Sequence, residues 1–171
     1  MVNVIDDTEP IDISLIYLFG DTNNHAGSQT VEGYILGMKA QMGPVGGIAE
    51  KITVRLGRNE TFTTKCALYR VSDNTLIGGT QEKIIPIGES WVNYVFNEPK
   101  PQLIADEMYY ICVWAEPNDV VGKFCSMKYE ENIYDPGTWF RAQDYGPWPN
   151  IVPFTEWGTR TTMSIYCTYN I

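Results

Sequence analysis

Short runs of β-type residues, punctuated by turn residues every 8–12 positions or so, constrain this fold more than any other feature of the chain. Thr30–Leu36 stops before the turn Gly43-Pro44-Val45-Gly46-Gly47. Ile48–Leu56 follows, and its Ile52, Val54 and Leu56 share one face by period two. Gly57-Arg58-Asn59 leads into Thr61–Val71, Asp73-Asn74 into Thr75–Ile77, and Gly78-Gly79 into Gln81–Ile85. Trp91–Phe96 alternates, with Trp91, Asn93 and Val95 on one side and Val92, Tyr94 and Phe96 on the other. Met108–Ala115 is apolar throughout, the pattern of a strand covered on both faces. Thr161–Tyr169 reads as the last strand. No dozen residues show apolar spacing of three and four between caps, so helix is minor. The expectation is an all-β antiparallel sandwich or barrel with little helix, built as one domain over residues 1–171.

One segment breaks the rhythm. Between Tyr129 and Gly158 stand eight aromatic residues (Tyr129, Tyr134, Trp139, Phe140, Tyr145, Trp148, Phe154 and Trp157) and four prolines (Pro136, Pro147, Pro149 and Pro153), against 13% aromatic residues overall. Prolines at that density forbid a central strand and fix the backbone in extended or turn conformations. Residues 129–158 are therefore expected to be ordered loop, with one short strand near Thr138–Ala142. Aromatic loops on a rigid scaffold are suited to recognition.

Twelve Lys and Arg against 21 Asp and Glu give a net charge of −9. Such a surface repels a phosphate backbone and anionic lipid, which argues against nucleic acid and polybasic membrane attachment. The apolar run Ile13–Phe19 is seven residues long, whereas a bilayer needs about 20. Asp6, Asp7, Glu9 and Asp12 precede it where a signal peptide would carry Lys or Arg, so neither membrane insertion nor a leader is expected there. Cys66, Cys112, Cys125 and Cys167 contain no C-x-x-C spacing, which argues against zinc. Buried thiols acting as small hydrophobes, or one or two disulfides in any of three pairings, both suit this pattern.

The order Cys66-Ala67-Leu68-Tyr69, a turn, Leu76-Ile77-Gly78-Gly79-Thr80, Trp91, Leu103-Ile104-Ala105 and Met108-Tyr109-Tyr110-Ile111 resembles a known architecture. It is similar to the jelly-roll-like β-sandwich modules of extracellular glycan-active proteins and of phage or archaeal surface proteins. Ser164–Tyr169 resembles their closing strand, with Cys167 where a small Ala is usual. Asp106-Glu107 stands where such modules carry Gly before the Tyr-rich strand. The resemblance covers about residues 30–170 through core and turn positions. It implies a jelly-roll-like sandwich, an extracellular or cell-surface location, and glycan binding in some members or structural roles in others.

Sugar recognition needs a flat apolar ring for C–H groups and polar side chains for hydroxyls. Trp139, Tyr145, Trp148 and Trp157, interleaved with Arg141, Gln143, Asp144, Asn150 and Glu156, supply both. A neutral polysaccharide tolerates the acidic surface, whereas an anionic one such as alginate is repelled. Trp91 and Trp114 belong to strands and read as core. Asp21, Asn23 and Asn24 offer hard oxygens that could hold a structural Ca²⁺ with help from elsewhere. Catalysis lacks a signature: one histidine, no G-x-S-x-G, no phosphate-cradling loop before a helix, and no carboxylate pair in a recognisable strand motif among Glu130, Glu131, Asp144 and Glu156. The reading is a non-catalytic carbohydrate-binding module for a neutral polysaccharide, fused or not to a catalytic domain. A structural subunit of an appendage, adhesin or virion, with assembly partners, is the alternative, and a small jelly-roll glycosidase comes third.

Overall fold

The computed structural model describes residues 15–117, 121–131, 138–156 and 161–171. These form fifteen strands and, among the described residues, no helix. The strands are β1 (Ile16–Gly20), β2 (Gly27–Thr30), β3 (Tyr34–Gln41), β4 (Gly47–Arg58), β5 (Phe62–Arg70), β6 (Leu76–Gly79), β7 (Lys83–Ile85) and β8 (Gly88–Val95). They continue with β9 (Gln102–Leu103), β10 (Met108–Ala115), β11 (Cys125–Glu131), β12 (Thr138–Ala142), β13 (Thr155–Glu156), β14 (Thr161–Met163) and β15 (Ile165–Asn170).

The fold is an antiparallel β-sandwich. The first sheet runs β1-β15-β4-β11-β14, with β8 and β9 paired to β4 and β2 paired to β11. The second runs β13-β12-β3-β10-β5-β6, with β7 on β5. Period-two alternation turns one face of each sheet inward. Ile52, Val54 and Leu56 of β4 and Ile165 and Cys167 of β15 meet Leu36 and Met38 of β3, Leu68 of β5, and Ile111 and Val113 of β10 in one continuous core. Among the described residues no helix is long and apolar enough to cross a membrane. All four cysteines are free thiols inside the protein.

Two expected strands divide where the backbone must turn. Thr30–Leu36 breaks at Gly33, whose φ of 72° is cheap only without a Cβ. The final run breaks at Ser164, where the chain changes partner: Ser164 N donates to Lys128 of β11, and its carbonyl accepts from Arg55 of β4. The tight turn before β10 keeps a left-handed residue although it lacks glycine. Asp106 takes φ 59°, a conformation that Asp tolerates better than most residues.

The strand expected to be covered twice, β10, is buried from Tyr109 to Ala115. The core covers one face. On the other, Tyr110, Cys112 and Trp114 join Ile35, Ala67, Tyr69 and Val152 in a second cluster, on which Trp139, Tyr145, Trp148 and Phe154 pack. Residues 143–154 of the aromatic, proline-rich segment therefore lie as a third layer over the second sheet, beside Trp139 of β12.

Candidate functional site

The expected recognition segment carries its rings toward the sheet. Trp139 sits on β12 opposite Gly37 and Glu156, its ring 5.7 Å from that of Tyr110. Lys39 Nζ lies 3.8 Å over the Trp139 ring. Desolvation there lowers the lysine pKa, opposed by the charge of Glu156. Tyr145 and Trp148 each place a ring centroid 5.1 Å from that of Trp114. Phe154 lies 4.5 Å from Tyr110 and 5.4 Å from Tyr69.

A buried cation fastens this cover. Lys65 Nζ lies 4.8, 4.3 and 5.4 Å from the Trp114, Tyr145 and Trp148 ring centroids, donates to Glu82 Oε1 at 3.1 Å, and also donates to the Gly146 carbonyl. Burial without water makes such cation–π contacts stronger than exposed ones. Tyr69 Oη donates to the Pro149 carbonyl at 2.9 Å, Leu76 N to that of Asn150 at 2.8 Å, and Val152 N to that of Asn74 at 3.1 Å. Gly79 allows the final approach, since a Cβ there would stand 2.6 Å from Trp148 Cδ1.

The polar members of the set point the other way. Arg141, Asp144, Asn150 and Glu156 are exposed, and Gln143 is half-buried, its backbone N–H donating to the Gly33 carbonyl. Trp157 lies outside the described residues. Three rings of the expected platform, Trp139, Tyr145 and Trp148, are half-buried against the second sheet because its outer face is too apolar to stand in water. They form a cover, with the polar side chains on its far side.

The strand tryptophans divide. Trp114 is fully buried, as read. Trp91 is instead half-buried on the outer face of the first sheet, a correction whose cause is the β8 alternation that sends Tyr94 and Phe96 inward. Its ring lies 5.7 Å from that of Tyr166, the planes inclined at 60°, and its Nε1 donates to Asn24 Oδ1 at 2.9 Å. In the register of the three strands, Trp91 stands beside Arg55, and Tyr166, Thr53 and Asn93 form the next row. Thr53 Oγ1 donates to Asn93 Oδ1 at 2.7 Å, which leaves the Asn93 amide N–H groups as donors above the sheet. Sequence reading missed this pair, although Trp91 shares its strand face with the polar Asn93, and Tyr166 falls between inward-facing Ile165 and Cys167.

The loop that orients Trp91 is built from the residues considered for calcium. Ser164 Oγ donates to the Asn23 carbonyl at 2.7 Å and accepts from His25 N at 3.2 Å. Asp21 Oδ1 accepts from Asn23 N at 2.7 Å, and its Oδ2 lies 2.9 Å from His25 Nε2. His25 Nδ1 faces Glu130 Oε2 at 3.2 Å. Both Asp21 oxygens and the Asn24 carbonyl are thus engaged within the fold. Among the described residues no group of three or more His, Cys, Asp or Glu is placed to hold a metal. Clefts of about 430 and 390 Å³ flank the loop, the first lined by Asp21, Asn23, Lys39, Gln41 and Thr162, the second by His25, Tyr129 and Glu130.

Comparison with protein-family models and with curated proteins finds no match for this chain.

Proposed function

We propose that this chain is a non-catalytic carbohydrate-binding module that holds a polysaccharide on the outer face of its first sheet. One observation carries the reading: Trp91 and Tyr166 form an aromatic pair on the solvent side of a rigid sheet, with the indole anchored by Asn24 and with Arg55 and Asn93 beside it. Rings present apolar faces to sugar C–H groups at low entropy cost, and guanidinium and amide groups donate to hydroxyls. Such a role belongs outside the cell or at its surface. Affinity electrophoresis through a polysaccharide panel tests it. Trp91→Ala is expected to weaken retention by about 1–3 kcal/mol, the scale of an aromatic stacked on a flat ligand. Failure of every glycan to retard the wild-type protein would refute the reading.

A second reading, a structural subunit of an assembly, draws on the first sheet's edge. Ile16 and Leu18 of β1 are 71% and 55% exposed. Apolar edge strands invite pairing with another chain. Concentration-dependent light scattering would favour it, and a strict monomer would count against it.

A further inference from the structure

We infer that the glycan held on this face carries carboxylates, a uronate-bearing polysaccharide; this rests on the proposed binding role and names its substrate class. The net charge of −9 describes the whole chain, but beside the Trp91–Tyr166 pair Lys51, Arg55 and Lys128 stand against Glu89. Three of the twelve basic residues gather there, Lys51 and Arg55 on β4 and Lys128 on β11, and Lys83 of β7 in the second sheet reaches the edge of β8, where its Nζ donates to the Asn93 carbonyl at 2.8 Å. Glu50, held by Lys100, and Glu130, facing His25, lie at the ends of this group, and Glu89 is the carboxylate between Arg55 and Lys128. Arg55 Nη2 lies 2.5 Å from its Oε1 and Lys128 Nζ 2.9 Å from its Oε2, and these contacts, the hydrogen bond from Lys128 foremost, hold its carboxyl below the usual range. Its single charge is therefore shared between two cations. Among the described residues, Lys51 pairs with no carboxylate.

The spacing suits a polymer. Lys51 and Arg55 point the same way from one strand, four residues apart, which is roughly 14 Å along the sheet. Thr53 lies between them, flanked in register by Tyr166 and Asn93, with Trp91 next to Arg55. A chain lying along β4 meets a cation, an aromatic pair and a second cation in turn. Repulsion by the remaining acidic surface is screened beyond about 8 Å at physiological salt, so charges in contact decide the sign of the interaction.

The test compares alginate with its carboxyl-reduced form, which keeps the polymer and removes the charge, together with neutral polysaccharides and inorganic polyphosphate. The wild-type protein is expected to bind alginate at least about tenfold tighter than the reduced polymer at about 150 mM salt, with the gap narrowing toward about 1 M salt. Lys51→Glu is expected to erase most of that preference while leaving the melting temperature unchanged. Equal or tighter binding of the reduced polymer overturns this inference and leaves the glycan-binding role standing. Polyphosphate bound as tightly as alginate also overturns it, as unselective capture of polyanions. Absence of binding to alginate, its reduced form and every neutral glycan removes the binding role itself.

Discussion

Trp148→Ala separates a cover from a platform. Truncating a large aromatic in a full core costs about 3–5 kcal/mol, and half-burial of Trp148 scales that to about half. Lost ring contacts with Trp114 at 5.1 Å and Tyr69 at 6.1 Å add about 0.5–1.5 kcal/mol beyond the buried area. The Lys65 ammonium loses one wall of its enclosure as well. The expected destabilisation is about 2–4 kcal/mol, which at about 2–4 °C per kcal/mol for a chain of this size puts a 3 kcal/mol loss near 6–12 °C in Tm. Urea denaturation followed by circular dichroism gives the free energy, and a thermal scan gives the shift. Glycan retention by the folded variant should match wild type. A loss below about 0.5 kcal/mol, ordinary for a surface substitution, together with abolished glycan binding would refute the cover and return Trp148 to the solvent-facing role.

Other perturbations test the same construction. Lys65→Met keeps the buried stem and removes the ammonium; the lost cation–π and hydrogen-bond contacts outweigh the relieved desolvation, and urea titration is expected to show a loss of about 1–2 kcal/mol. Asp106→Val places a β-branched residue at φ 59° and should cost about 1–2 kcal/mol in the same assay, while Asp106→Gly should not destabilise. Burial pushes the Cys66 and Cys112 thiols well above their ordinary value and that of Cys125 up to about 12, so a thiol reagent at pH 8 should label the folded protein only after denaturant is added. The unfolded chain ionises its thiols near pH 9 and the folded chain far higher. Stability carried by the thiols is thus full below that pH and falls as pH climbs toward 12, which urea midpoints across the range should show.

Much of the scaffold was legible because alternation is a local signal. Met108–Ala115 matches β10 residue for residue, and Thr138–Ala142 matches β12. The divisions at Gly33 and Ser164 were hidden because each interrupts a run that stays β-like on both sides. β11 escaped notice because the short alternation Cys125-Ser126-Met127-Lys128-Tyr129 runs into the aromatic, proline-rich segment that begins at Tyr129. The role of the aromatic segment depends on a relation between distant residues. A strand apolar on both faces needs two covers, and a two-sheet sandwich supplies one, so Tyr110, Cys112 and Trp114 require a further layer from elsewhere in the chain. Trp139, Tyr145, Trp148 and Phe154 supply that layer. Trp91 and Tyr166 were assigned by residue type, whereas their strand neighbours Asn93, Ile165 and Cys167 fix the direction in which they point.

The indole N–H signals of the five tryptophans, followed by ¹H–¹⁵N NMR during solvent exchange with and without polysaccharide, test the division between cover and binding face most directly. Among the described residues, Trp114 Nε1 and Trp148 Nε1 are buried with no hydrogen-bond partner. Both should exchange only as the segment opens and stay unmoved by ligand, while the Trp91 signal shifts as polysaccharide is added. Rapid exchange at Trp148, with ligand shifts there and none at Trp91, would contradict both assignments.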